Sequence, residues 1–355
     1  MLQAISRWLR GEESGISVPP MDGVLKPNNK LESAERLLVL PAVDNLATDG
    51  TSAYCSSGKV LYRLKREGDL FGAEPAGEFE GPVTCIATGP GRIAVGVQGK
   101  GILVFDGRDG WRQHDLPSPL SSCATAADFC PDGKLIVCVG SQRNAASDWK
   151  RDLLENGHTG SILSIDESGR IETLRGALAF PYGIIAHGVD DFVYSESWRY
   201  RLTESRGSGV VLADLPAYPA RLARAADGGL WLSLFAPRRQ LFEMVLREHD
   251  YRREMMSTIP PSDWIGPELN SEGGPDQPLQ AGSVRQMGII KPWAPSRSYG
   301  LVVKCNPSGH PVASWHSRAD GTMHGITSVL EFGDDVLVTA KGANTLLRLP
   351  REAEA

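Results

Sequence analysis

The stretch that decides the fold reads Phe180-Pro-Tyr-Gly-Ile-Ile-Ala-His-Gly-Val-Asp-Asp-Phe-Val-Tyr-Ser-Glu-Ser-Trp198. It contains a turn, a short apolar strand, a polar corner and a second strand that ends near a carboxylate. The same order returns over residues 218–233 and again over residues 324–340. Recurrence at this scale predicts stacked copies of one supersecondary unit.

Three further copies begin at Asp44, Val83 and Ala124, and each leads into another strand-like run. Six units spaced by roughly 35 to 60 residues match the blade length of a propeller. Asp-Gly, Pro-Gly and Gly-Asp-Asp sequences separate the runs, and these are typical of hairpin turns. We therefore predict an all-β fold, a six-bladed β-propeller with short helical insertions, whose radial packing leaves only short sheet edges. A pair of β-sandwiches is the alternative, but it leaves the recurrence unexplained.

The chain is predicted to hold one propeller domain over residues 37–350, preceded by a lead-in over residues 1–36 that packs on it. Two insertions interrupt the repeat, at about residues 140–156 and 236–298. The first offers Ser147 or Asp148 as a helix N-cap, and the second predicts a helix over residues 240–256. Long segments within a compact domain are often functional, so we expect both to cover one mouth of the propeller. Helices that merely pack against a sheet edge are the alternative.

Composition excludes several classes of partner. Among 355 residues the net charge is −6 and the two signs are interspersed, so no basic stripe for nucleic acid is present. No apolar run reaches the length of a transmembrane segment, and the first residues do not resemble a signal peptide. The six cysteines form no CxxC pair and fall mostly in predicted strands. We expect a reduced, cytoplasmic protein.

Several motifs together carry a resemblance to a known superfamily. They are Gly160-Ser-Ile-Leu-Ser-Ile-Asp166, Leu178-Ala-Phe-Pro-Tyr-Gly-Ile184, Leu215-Pro-Ala-Tyr-Pro-Ala-Arg221 and Tyr299-Gly-Leu-Val-Val-Lys304. Their order resembles the strictosidine synthase-like branch of the propeller superfamily, which also holds gluconolactonases of the senescence-marker-protein type and paraoxonase-type hydrolases. The resemblance extends from about residue 37 to the end of the last blade. It is informative about fold, whereas function depends on the site.

The resemblance implies a divalent cation, usually calcium, in the central channel. Its ligands would be an acidic residue opening the first blade, an asparagine opening the fourth and an aspartate opening the fifth, since calcium prefers oxygen ligands. Asp44, with Asn45 beside it, matches the first position and is the predicted metal ligand. Tyr182 and Ala220 stand at the other two positions, and Arg221 follows. The resemblance therefore implies a calcium site of which this sequence retains one of the three expected ligands.

The same residues predict a site that works without metal. Arg221, Tyr182 and Asn45 are the predicted substrate-binding residues, because a guanidinium can clamp a carboxylate or polarise a carbonyl. His324 and Asp44 are the predicted catalytic residues, with His324 as the proton shuttle. The alternatives are a corner histidine bonded to backbone, a tyrosine that fills the space of a lost ligand, and an aspartate that forms an Asx turn.

Two other positions bear on the reaction. True strictosidine synthases use a glutamate near the start of the last blade, and the matching position here falls on or near Thr327, which argues against that chemistry. Glu196 is a second carboxylate, and pairing with Arg199 or Arg201 as part of the blade is its predicted role. The chain also lacks a GxSxG elbow, a P-loop, an HExxH motif and a dinucleotide fingerprint.

These observations favour a hydrolase that acts on a small-molecule substrate, a lactone or ester of the sugar-acid lactone type. The alternative is a non-catalytic propeller that binds a metabolite or a protein and has lost the metal site of the family.

Overall fold

The computed structural model describes residues 18–349, apart from residues 69, 108–109, 119, 207–208, 271–284, 287–288 and 291–296. Within these residues the chain forms six four-stranded antiparallel sheets, one two-stranded hairpin and three short α-helices. The predicted six-bladed β-propeller is confirmed.

The strand bounds of the first three blades follow the repeats closely. After β1 (Glu35–Val39), blade one contains β2 (Val43–Thr48), β3 (Ala53–Ser57), β4 (Val60–Glu67) and β5 (Leu70–Glu78). Blade two contains β6 (Val83–Gly89), β7 (Arg92–Val97), β8 (Gly101–Phe105) and β9 (Trp111–His114). Blade three contains β10 (Ala124–Phe129), β11 (Leu135–Val139), β12 (Gly160–Ile165) and β13 (Ile171–Leu178).

The last three blades include the second insertion and the ring closure. Blade four contains β14 (Pro181–Gly188), β15 (Asp191–Glu196), β16 (Arg201–Glu204) and β17 (Val210–Leu212). Blade five contains β18 (Ala217–Arg224), β19 (Leu230–Pro237), β22 (Leu301–Cys305) and β23 (Pro311–His316), and the hairpin of β20 (Arg285–Gln286) and β21 (Ile289–Ile290) lies in its insertion. Blade six contains β24 (Ile326–Phe332), β25 (Asp335–Ala340), β26 (Thr345–Leu349) and the early strand β1.

The helices lie in the two insertions. Helix α1 (Trp149–Leu154) belongs to the first, and α2 (Gln240–Arg247) and α3 (His249–Thr258) belong to the second. The single helix predicted over residues 240–256 was wrong, because Glu248 has φ −85 and ψ 83 and breaks the helical path. Asp148 occupies the predicted N-cap position of α1 but makes no capping hydrogen bond through its side chain. Single 3₁₀ turns occupy Gly23–Leu25, Leu120–Ser122, Ala146–Asp148, Ser197–Arg199, Pro261–Asp263 and Lys341–Ala343.

The innermost strand of every blade faces a central channel. Strands β2, β6, β10, β14, β18 and β24 contact one another in turn, and β24 contacts β2 to complete the ring. In blade six, β1 pairs antiparallel with β26, from Glu35 opposite Arg348 to Val39 opposite Thr345. This strand spans the predicted boundary at residue 36. Ahead of it, Leu31 is fully buried in the apolar cluster between blades five and six.

All six cysteines are free and buried, in agreement with the predicted reduced state. Burial raises the pKa of the Cys55 thiol to about 12, so it remains protonated at neutral pH. These thiols therefore serve as small apolar side chains of the blades.

Candidate functional site

Each innermost strand carries a β-bulge near its start. The register with the second strand of the blade shifts there in all six blades. A bulge redirects a side chain, and here it presents one polar residue per blade to the channel. These six residues, called the channel ring below, are Asp44, Thr84, Thr125, Tyr182, Arg221 and Thr327.

Asp44 is the electrostatic centre of the channel ring. Arg221 Nη1 donates to its Oδ1 at 2.6 Å, and Lys341 Nζ donates to its Oδ2 at 2.9 Å. The Thr327 hydroxyl and the Asn45 backbone N–H also donate to Oδ1, at 2.7 and 2.8 Å. Both carboxylate oxygens are therefore engaged by donors, two of which are cationic.

Arg221 is held from several sides. Its Nη2 donates to the Thr84 carbonyl at 2.8 Å, and Nη1 also reaches the Thr327 carbonyl at 3.3 Å. The guanidinium carbon lies 4.9 Å from the centre of the Tyr182 ring, which is the distance of a cation–π contact. The bulge of β18 lies between Pro219 and Leu222, so Arg221 points into the channel.

These contacts fix the charges at neutral pH. Burial alone would raise the pKa of Asp44, but the Arg221 and Lys341 cations outweigh it and hold that pKa at about 2. Burial opposes the charged form of Lys341, yet the Asp44 carboxylate raises the pKa of Lys341 above its usual range. Burial also raises the pKa of Tyr182. The site therefore holds one carboxylate, two cations and a neutral phenol.

A cavity of about 290 Å³ opens above the channel ring. Its floor includes Asp44, Arg221 and Lys341. Its walls are largely aromatic and are formed by Trp149, Phe180, Tyr182, Trp198 and Phe235. Arg221 also lines a second cavity of about 220 Å³ on the other side of the ring, so its side chain separates the two.

Both insertions contribute to the upper cavity, which supports the prediction that they cover one mouth. Trp149 of α1 and Leu269 of the second insertion are part of its wall. Lys150 and Arg297 both pair with Glu268, which joins the two insertions above the site. Gly342 allows this approach, because a Cβ there would collide with the Leu269 carbonyl.

The structure brings Asp44, Tyr182 and Arg221 together as predicted, but it places His324 and Asn45 elsewhere. His324 is fully buried, with Nδ1 2.7 Å from Ser298 Oγ and Nε2 2.8 Å from the Arg318 carbonyl. Burial lowers its pKa. Asn45 donates through Nδ2 to Ser56 Oγ at 2.7 Å. Neither side chain lines the upper cavity. The shuttle role of His324 and the binding role of Asn45 therefore have no support from this geometry and stay predictions.

The sequence analysis missed Lys341, Thr84, Thr125 and Trp149. The two threonines had a usable signal, since each is the second residue of an innermost strand in its repeat, like Asp44 and Tyr182. Lys341 and Trp149 lie outside the repeat and had none. Glu196 has its predicted role, accepting from Arg199 at 3.0 Å and from Arg201 at 2.7 Å.

The residues at the centre of the channel do not fit a divalent cation. Each Asp44 oxygen already faces a cationic nitrogen, and a metal ion there would meet the positive charges of Arg221 and Lys341 at short range. Tyr182 fills the position of the expected asparagine ligand with a ring stacked on Arg221. Within the described ranges, no group of three His, Cys, Asp or Glu side chains could hold a metal. The predicted metal role of Asp44 therefore disagrees with this geometry.

Known proteins share this fold. Regucalcin, a calcium-binding protein from Agrobacterium tumefaciens, matches with a TM-score of 0.55 and 13% identity over 89% of this chain and 92% of its own. A gluconolactonase from Xanthomonas campestris matches with a TM-score of 0.53 and 10% identity, over 89% and 88% of the two chains. A luciferin-regenerating enzyme matches with a TM-score of 0.53 and 13% identity, over 89% and 92%. These matches confirm that the chain shares the fold of the gluconolactonase-type propellers that it was predicted to resemble.

One curated protein is also similar in sequence. The adipocyte plasma membrane-associated protein of Bos taurus is 27% identical over 264 residues, which cover 64% of this chain and 62% of that protein. The match thus spans less than two thirds of the relative. No protein-family model matches the chain. In the part of the chain that the structure describes, no helix is long and apolar enough to cross a membrane.

Proposed function

We propose that the protein is a gluconolactonase-like propeller hydrolase that cleaves a small lactone or ester in the upper cavity without a metal ion. The Lys341 ammonium, held by Asp44 at the floor of an aromatic cavity, carries this proposal. The fold shared with a gluconolactonase supports the reaction class.

Each charged group has a distinct part in this proposal. In hydrolysis the water oxygen bonds to the acyl carbon, the bond from that carbon to the leaving oxygen breaks, and the proton of water ends on the leaving oxygen. Negative charge develops on the carbonyl oxygen, where the Lys341 ammonium stabilises it. Asp44 positions that ammonium and keeps it charged, and Arg221 in turn holds Asp44 ionised.

One observation favours the second candidate, a propeller that binds a metabolite without turning it over. A general base works best with a pKa near the working pH. Among the described residues that line the cavity, the pKa of Asp44 is about 2, and the pKa values of Lys341 and Tyr182 are raised from already basic values. None of these three groups therefore has a pKa suited to accept the proton of the attacking water at neutral pH.

Turnover of glucono-δ-lactone, γ-butyrolactone and 4-nitrophenyl acetate, each with EDTA present, tests the proposal. We expect Lys341→Met to lower kcat/KM by about a hundredfold per folded molecule, as for loss of an oxyanion donor. The melting temperature should also fall, because the buried Asp44 loses one of its two cationic partners. The control is Lys304→Met, since Lys304 also pairs with an aspartate, Asp227, at 2.7 Å but lies outside the cavity. Absence of turnover across an extended ester and lactone panel would leave the binding candidate.

The variant His324→Gln tests the proton-shuttle prediction separately. Because both ring nitrogens have internal partners, we expect a lower melting temperature with turnover retained per folded molecule. Loss of turnover at an unchanged melting temperature would instead support the shuttle.

A further inference from the structure

The walls of the upper cavity are flat and apolar. The ring centres of Trp149 and Phe235 lie 5.4 Å apart, and those of Trp149 and Trp198 lie 6.4 Å apart. Trp198 stacks on Phe180 at 4.5 Å, so these rings are fixed by one another. Such walls favour a ligand with a flat or apolar body.

Most polar side chains around the cavity bond to other protein groups, and Thr84, whose hydroxyl has no partner among the described residues, is the exception. The Thr125 hydroxyl donates to the Pro181 carbonyl at 2.6 Å, and Gln98 Nε2 donates to Ser147 Oγ at 3.2 Å. A polyhydroxylated ligand would bury hydroxyl groups that need partners of their own, and unpaired hydroxyls are costly to bury. The cavity is therefore poorly suited to a sugar acid.

The charge of the cavity lining is positive. Of the charged residues described there, Arg221 and Lys341 contribute two cations against the single carboxylate of Asp44. The Lys341 side chain is 31% exposed, whereas those of Arg221 and Asp44 are 11% and 5% exposed. A ligand therefore reaches Lys341 first, and the ammonium has N–H donors beyond the one bonded to Asp44.

Other acids lie near the cavity but not in its lining. Asp148 is exposed between Ser147 and Trp149, and Glu268 pairs with Lys150 and Arg297. Asp152 of α1 accepts from Trp198 Nε1 at 2.8 Å and from Asn144 Nδ2 at 3.0 Å. These bonds hold the Asp152 carboxylate behind the Trp198 ring, so it does not replace Asp44 as the counter-charge at the floor.

We propose that the cavity selects small organic monoanions, with a carboxylate on Lys341 and a flat apolar or aromatic body against Trp149 and Trp198. The inference rests on the proposed function in one respect, namely that such a molecule is the product or the charged substrate of the hydrolase. Ester and lactone hydrolysis releases a carboxylate, so the oxyanion position of the substrate becomes the carboxylate position of the product. The ligand class is thus an aryl or alkyl carboxylic acid or its ester or lactone, in place of a sugar-acid lactone.

Isothermal titration calorimetry with three probes tests this selectivity. The probes are 4-phenylbutyrate, its neutral analogue 4-phenylbutyramide, and gluconate as a polyhydroxylated anion. We expect 4-phenylbutyrate to bind at least about tenfold more tightly than either of the others, which is the size of one charge-assisted hydrogen bond. Lys341→Met should remove the preference for the anion over the amide, and Lys304→Met should retain it. Trp149→Leu should weaken the phenyl probes and not gluconate.

The outcomes separate this inference from the proposed function. Gluconate binding as tightly as 4-phenylbutyrate, equal affinity for the acid and the amide, or no detectable binding of 4-phenylbutyrate would each overturn it, even if lactones are hydrolysed. Selective binding of 4-phenylbutyrate without turnover of any ester or lactone would uphold the ligand class and reject the hydrolase.

Discussion

Arg221 shows how one residue can change the chemistry of a channel. A guanidinium is charged at every physiological pH and presents several fixed donors, so it supplies a permanent positive charge that depends neither on metal supply nor on titration. Here that charge is spread over Asp44, two backbone carbonyls and the face of Tyr182. The buried carboxylate of Asp44 therefore has cationic partners within the folded chain, without a metal ion.

Replacement of Arg221 should show how much stability this arrangement contributes. Arg221→Met leaves the buried Asp44 with Lys341 as the one charged partner among the described residues, and breaking a buried pair typically costs about 3 kcal/mol. Urea unfolding should show a loss of about that size. The control is Arg224→Met on the same strand, where the side chain is 51% exposed and pairs with Asp128. That change should cost less than about 1 kcal/mol, and equal losses in both variants would contradict the special role of Arg221.

The same arrangement predicts that calcium will not stabilise the protein. A cation that binds the folded protein, at a concentration about 100 times its dissociation constant, would add about 2.7 kcal/mol to the free energy of unfolding. This raises the melting temperature of a chain this size by a few degrees. We expect the melting temperature after EDTA treatment to match that with calcium restored. A rise of several degrees with calcium would show that a metal competes successfully with Arg221 and Lys341.

His316 predicts how stability depends on pH. The ring is fully buried, with Nδ1 3.1 Å from the Tyr299 hydroxyl, and burial lowers its pKa to about 4. Its pKa in the unfolded chain is about 6.5, so the unfolded chain binds more protons between these values and stability falls as the pH is lowered from about 6.5 to about 4. The expected loss is about 3 kcal/mol. The lowered pKa of His324 reduces stability in the same direction as the pH falls. The stability that ionised Asp44 contributes is lost only as the pH falls from about 4 to about 2.

Urea unfolding at a series of pH values measures this slope. We expect His316→Gln to flatten the dependence of stability on pH between about pH 6.5 and pH 4, with a remainder due to His324 and His114, whose pKa values burial also lowers. The exposed His187 provides the matched control, and His187→Gln should keep the slope of the unaltered protein. An unchanged slope in the His316 variant would show that its ring is not the group that titrates.

At the scale of elements, the sequence predicts what repeats. Alternating strands, hairpin turns and the Glu196 pairings follow from local patterns that recur in several blades. The bulges are harder to foresee, because Asn45 takes a left-handed conformation at φ 60 and the shift in β18 decides whether Ala220 or Arg221 enters the channel. The bulge is set by packing between neighbouring blades, which a single sequence does not reveal.

The two insertions contribute the part of the site that the sequence did not predict. Trp149 and Leu269 reach the cavity only because Lys150, Glu268 and Arg297 join two segments that lie more than a hundred residues apart. Such a long-range contact leaves no periodic signal in either segment. The contribution of Trp149 and Leu269 to the upper cavity was therefore not predictable, and the sequence-based expectation of a sugar-acid lactone reflected the resemblance alone.

At the scale of the whole molecule, closure of the ring depends on β1. This strand lies at the start of the propeller, but it completes the sheet formed by the last three strands. Without it, β26 would expose an unpaired edge, and the ends of the chain would no longer join the first blade to the sixth. The sheet that presents Thr327, with Lys341 following its second strand, is the same blade, so closure also holds the site.

A pair of altered chains tests closure directly. We expect deletion of residues 1–40 to abolish cooperative thermal unfolding, because blade six loses β1 and the buried Leu31. A circular permutant that starts at Ala42 and carries residues 18–40 after residue 349, through a flexible linker, restores the same pairing. The linker joins residue 349 to residue 18 and must therefore reach from the end of β26 to the segment that packs against β23 of blade five, as Asn28 and Val24 do. A flexible linker of about 20 residues gives that reach. The permutant should unfold cooperatively near the temperature of the parent chain. Cooperative unfolding of the deleted chain would instead mean that five blades and three strands suffice to hold the ring.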